Sequence, residues 1–94
     1  MDREEQLAAC DILKYIQKQP QAKHTAEGIA MHWISQQRIR ENLKITISAI
    51  DYLVAEGFLG KVQKEDAGFY YRVNQSKIST IDEMIESLED QLRK

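Results

Sequence analysis

Apolar residues in this chain recur at three- and four-residue spacing over most of its length and alternate in one short stretch. Leu7, Ala9, Ile12, Leu13 and Ile16 fall on one face of a 3.6-residue period, which predicts a first helix over residues 3–19. Asp2, Glu4 and Glu5 stand near its start, where carboxylates interact favourably with the helix dipole. Pro20 ends it, because proline lacks a donor and disfavours helix in the residue before it. Gln21 to His24 then reads as extended. Thr25 is the expected N-cap of a second helix, Ala26 to about Ser35, with Ile29, Ala30, Trp33 and Ile34 turned inward. Gly28 in its first turn costs about 1 kcal/mol against alanine, which points to another backbone passing close by. Gln36 to Glu41 forms the connection.

A third helix is expected from about Glu41 to Glu56, with Leu43, Ile47, Ile50 and Val54 as its inner stripe and Thr46 and Leu53 flanking it. Gly57 suits the left-handed residue that follows a helix. Phe58–Lys64 and Phe69–Asn74 alternate and are rich in aromatic and β-branched residues, so they read as strands. Lys64–Gly68 would be the hairpin loop. Thr80 and Glu83 have the spacing of a capping box, opening a last helix that runs to about Arg93. Ile81, Ile85, Leu88 and Leu92 step by four, three and four residues along it, and Met84 broadens the seam.

Ninety-four residues suffice for one domain and a modest core, so pairing of two copies would relieve a shortage of buried area. The seam of Ile81, Met84, Ile85, Leu88 and Leu92 is the expected homodimer surface, with the first helix assisting; its alternative is packing on the first helix of the same chain. The expected division is a domain at 1–76 and a dimerisation element at 77–94. The formal net charge is −2, and the third that is least acidic is residues 36–74. No apolar run reaches the roughly 20 residues of a membrane span, the N-terminal segment has no signal-peptide core, and a single cysteine, Cys10, leaves no internal disulfide. These features fit a cytoplasmic protein that does not engage membranes. His24, His32 and Cys10 do not make metal-site spacing. With no phosphate loop, nucleophile motif or carboxylate pair, neither a cofactor nor an enzyme is expected.

The segments DILKYI, TAEGIAMHWI and ITISAIDYLVAEGFLGKV, in that order, resemble the winged helix-turn-helix superfamily over residues 5–74. The last helix looks like the dimerisation helix of small bacterial regulators of that type. The resemblance implies an α+β, mainly helical fold: a three-helix core, a two-stranded β-hairpin wing and an added C-terminal helix. It also implies sequence-specific binding of double-stranded DNA by a small dimeric transcriptional regulator. Two third helices related by a two-fold axis would then meet major grooves about 34 Å apart. Carried over by position, Arg40, Asn42, Lys44 and Ser48 would face the groove, and Lys61, Lys64 and Arg72 the phosphates, with Arg38 part of the same basic cluster. Thr25 could meet a further phosphate.

Three features motivate a rival reading, a winged helix that contacts protein and does not bind DNA. The connection Gln36–Arg40 is long and has no glycine. Ile45 and Tyr52 make a second apolar stripe on the third helix, which would suit protein contact; its alternative is to cover the first or last helix of the same chain. Asp51, Glu65 and Asp66 put negative charge where phosphate would lie.

Overall fold

The computed structural model describes residues 2–65 and 68–93. The first helix, α1 (Arg3–Lys18), starts where the Asp2 side chain accepts a 2.9 Å hydrogen bond from the Glu5 amide. It closes with the Gln19 amide donating to the Tyr15 carbonyl, one residue before Pro20. The extended piece that follows contains a two-residue strand, β1 (Lys23–His24), which the sequence did not reveal as sheet. Helix α2 (Ala26–His32) is capped by Thr25, whose Oγ1 accepts from the Gly28 amide at 3.2 Å. It stops three residues short of the expected end. The connection is itself a single helical turn, α3 (Gln37–Arg40).

Helix α4 (Leu43–Ala55) ends as expected on Gly57, whose φ is 87°. The Phe58 amide donates to the Leu53 carbonyl at 2.9 Å, and the Gly57 amide to that of Val54 at 3.1 Å. These two bonds satisfy carbonyls that the helix end would otherwise leave open, and they turn the chain directly into β2 (Leu59–Gln63). Strand β3 (Phe69–Val73) returns antiparallel with Leu59 opposite Val73 and Gln63 opposite Phe69. Asp66 and Ala67, at the tip of the expected loop, lie outside the described residues. The sheet is three-stranded, in the order β1-β3-β2, with Lys23 opposite Arg72 and His24 opposite Tyr71. The class is thus α+β and mainly helical.

A 3₁₀ turn over Gln75–Thr80 leads into α5 (Ile81–Arg93). The capping box does not form in the expected way: the Thr80 hydroxyl donates to the Lys77 carbonyl at 2.9 Å. Helix α5 runs antiparallel to α1. Arg3 donates to the Leu92 carbonyl at 2.8 Å, Gln6 to Gln91 at 2.7 Å, Lys14 to Glu89 at 3.1 Å, and Gln17 to Asp82.

Two expectations about apolar faces are corrected here. First, the stripe that α4 buries is Thr46, Ala49, Ile50 and Leu53. Leu43 and Ile47, expected inside, are 36% and 39% exposed, and Val54 is half-buried. Ile45 and Tyr52 are half-buried against the core, with the Tyr52 hydroxyl 4.0 Å from Met84 Sδ; of the two expectations for this stripe, packing within the chain is the one observed, and a free protein surface is not. Second, Ile81, Ile85 and Leu88 are buried in the same cluster as Ile12, Leu13 and Ile50, and Met84 and Leu92 pack on its margin. The seam expected between two copies is covered by α1 of the same chain. Residues 77–94 therefore share the core of residues 1–76 rather than forming an appendage. No described helix is long and apolar enough to cross a membrane.

Candidate nucleic-acid interface

The leading end of α4 stands clear of the core because Asn42 precedes the first residue the helix buries, Thr46, by a full turn. Asn42, Lys44 and Ser48 are all exposed, and the Asn42 side chain makes no capping bond. Lys44 and Ser48 are four residues apart, so they share one face of the helix. Leu43 and Ile47, also four apart, lie beside them, and Asp51 continues the exposed surface one turn on.

The two arginines that the sequence grouped with Lys44 point elsewhere. Arg38 on α3 pairs with Glu4 at the start of α1, at 2.8 Å. Arg40 donates to the Ser35 carbonyl at 3.1 Å and lines a hollow between α1 and the end of α2. Asp11 stands on the same wall, accepting from the Ser35 amide at 3.2 Å and from its hydroxyl at 3.0 Å. The turn α3 explains this separation: four helical residues between Gln36 and Glu41 swing both guanidinium groups towards α1.

The hairpin cations also divide. Register places Lys61 opposite Tyr71, on the side of the sheet that faces the helices. There its ammonium sits 4.1 Å from the Phe69 ring centre, a cation–π contact. Arg72 alternates to the outer side, between Lys23 on β1 and Gly60 on β2. Lys64 follows the end of β2, where its amide donates to the Gly68 carbonyl at 3.1 Å. Burial raises the Tyr71 hydroxyl pKa, and the Asp51 and Glu27 carboxylates raise it further. Glu27 lines a hollow with Phe69 and Tyr71 on the inner side of the hairpin, which makes that side the less favourable one for phosphate.

Other titratable groups have structural roles. Burial pushes the Cys10 thiol up to about 11, with Lys14 pulling weakly the other way, so the thiol stays protonated and unreactive at neutral pH. The hydrogen bond to Glu89 raises the Lys14 ammonium above its usual range. His24 and His32 lie with ring centres 5.3 Å apart, and His24 meets the edge of Trp33. Among the described residues, no three His, Cys, Asp or Glu side chains gather in a way that could hold a metal ion.

Sequence reasoning missed Lys23 as a site residue. Only the pairing of a two-residue strand brings it beside Arg72, and a strand that short leaves no periodicity to read. No protein-family model, curated protein or solved structure matches the chain.

Proposed function

We propose that this chain is a winged-helix protein that binds double-stranded DNA as a small transcriptional regulator. The observation that carries the reading is the uncovered leading end of α4, with Asn42, Lys44 and Ser48 exposed and the far end braced by the Gly57 cap and the β2–β3 hairpin. The element order, with β1 joining the hairpin as a third strand, supports it as well. In this reading α4 enters the major groove by its N-terminal turn. Asn42 is suited to adenine and Lys44 to guanine. The reading requires no second copy, because α1 already covers the 81–92 seam.

The test is selection of duplex sites from a randomised pool, followed by gel shifts in a salt series. A preferred site is expected, and Lys44→Ala should weaken it by about 1–3 kcal/mol. Arg38→Ala and Arg40→Ala should change little, since those groups are held by Glu4 and by the Ser35 carbonyl. Recovery of no preferred site from the pool would overturn the reading.

A protein-binding role is the second reading, and exposed Leu43 and Ile47 favour it over the Ile45 and Tyr52 stripe. Ile47→Lys separates the two. A lysine there should hold or strengthen duplex binding, whereas an apolar protein contact should be lost.

A further inference from the structure

Among the described residues, the outer face of the sheet brings cations together around hollows whose walls carry no carboxylate. Directly paired positions of an antiparallel sheet project to the same side. Lys23 and Arg72 are such a pair, and Gly60 flanks Arg72 on the opposite strand. Tyr70, two residues before Arg72, shares this side with its partner Val62. Gly60 leaves room for the arginine stem: a Cβ there would stand 3.8 Å from Arg72 Cγ and 3.9 Å from Nε.

Two hollows open along this face. One, of about 520 Å³, is lined by Lys23, Gly60, Arg72, Asn74 and Gln75 among others. Its neighbour, of about 340 Å³, is bounded by Lys23, His24, Thr25, Lys64 and Tyr70. Among the described residues neither wall carries a carboxylate, although Glu65 follows Lys64 in the chain and Glu27 shares a third hollow with Lys64 on the inner side. Like charges directly opposed on paired strands are destabilising. Lys23 and Arg72 are so opposed, and among the described residues neither forms an ion pair. A bound polyanion would reverse that penalty.

We infer that this face binds single-stranded nucleic acid, with Lys23, Lys64 and Arg72 holding phosphates and Tyr70 stacking on a base. The tyrosine selects the single strand. An unpaired base offers an open π-face to an aromatic ring, whereas the bases of a duplex are stacked on one another. The surface is separate from the α4 face. Tyr71, buried in the same cluster as Ala49, Ile50 and Leu53 of α4, projects from the opposite side of β3 to Arg72, so the inference does not rest on the duplex reading.

Filter binding of a labelled oligothymidylate of about 12 nucleotides to the full chain, over a salt series, tests it. Binding should weaken with salt, with a log–log slope of about −0.7 for each phosphate contacted. Lys23→Gln with Arg72→Gln should lose at least about tenfold in affinity and flatten that slope. Tyr70→Leu, which keeps apolar bulk and removes the ring, should lose about tenfold, and Tyr70→Phe should bind normally. Lys44→Ala should have no effect. Circular dichroism of each variant checks the fold. The inference is overturned if the oligothymidylate does not bind, or if folded variants bind like the parent. It also fails if Lys44→Ala loses as much as the sheet variants, or if polyglutamate competes as well as unlabelled oligothymidylate.

Discussion

His24 and Gly28 depend on each other. A Cβ on Gly28 would collide with the His24 ring, at both Nδ1 and Cγ. The glycine thus has the purpose that its unfavourable helix propensity suggested, except that the approaching group is a side chain and not a backbone. Alanine at position 28 gains helix propensity worth about 1 kcal/mol. It must also displace a ring that packs on His32 and against Trp33. Overpacking of this kind costs about 1–3 kcal/mol, so Gly28→Ala should lower stability in urea unfolding despite the propensity gain. His24→Ala/Gly28→Ala should recover most of the loss. A single variant as stable as the parent would show that the ring is free to move. Thr46 is a second residue of interest: its hydroxyl is fully buried in α4 and has no hydrogen-bond partner among the described residues.

At the scale of elements, α5 is a structural brace. Leu88 is fully buried and Ile81 nearly so, while Glu86, on the other side of the same helix, is exposed. Leu88→Ala should therefore cost about 2–5 kcal/mol, read from the shift in a urea midpoint. Glu86→Ala should fall within about 0.5 kcal/mol of the parent. Equal effects of the two would show that α5 does not dock on α1. Most elements were legible before the structure because their termini carry chemistry: Thr25 as a cap, Pro20 as a stop, Gly57 as an exit. What spacing could not fix was the rotation of α4. Leu43, Ile45, Ile47, Ile50, Leu53 and Val54 surround much of that helix, so several faces could pass as the inner one. The structure chooses the face holding Thr46 and Ala49 because small side chains let α4 lie close to α1. β1 and α3 escaped notice because they span two and four residues, about one period each, which is too short for a pattern to repeat.

The whole molecule distributes its charge in a way that no linear count foretells. Of the cations the sequence gathered between residues 38 and 72, Arg38 and Arg40 turn towards α1, Lys44 stays on α4, and Lys61 and Arg72 take opposite sides of the sheet. The helix α4 and its glycine exit were legible, but the exposure of its leading end was not, because Leu43 and Ile47 were expected inside. The pairing of Lys23 with Arg72 was not, because residues so distant in the chain meet only through sheet register. Burial of the seam also changes the expected assembly. With α1 over Ile81, Ile85 and Leu88, the chain should sediment as a 10.9 kDa monomer. A dimer that persists on dilution would require an interface other than this seam.

The aromatic stack at the junction of α1, β1 and α2 has one further consequence. The chain's only indole lies 4.9 Å from the Tyr15 ring in a near-parallel stack and meets the His24 imidazole edge-on. Its fluorescence emission is thus a built-in optical gauge of whether these three elements are closed on one another, set by nature at the corner farthest in sequence from α5. Time-resolved emission from that single lamp can follow the opening of this corner without any label being attached.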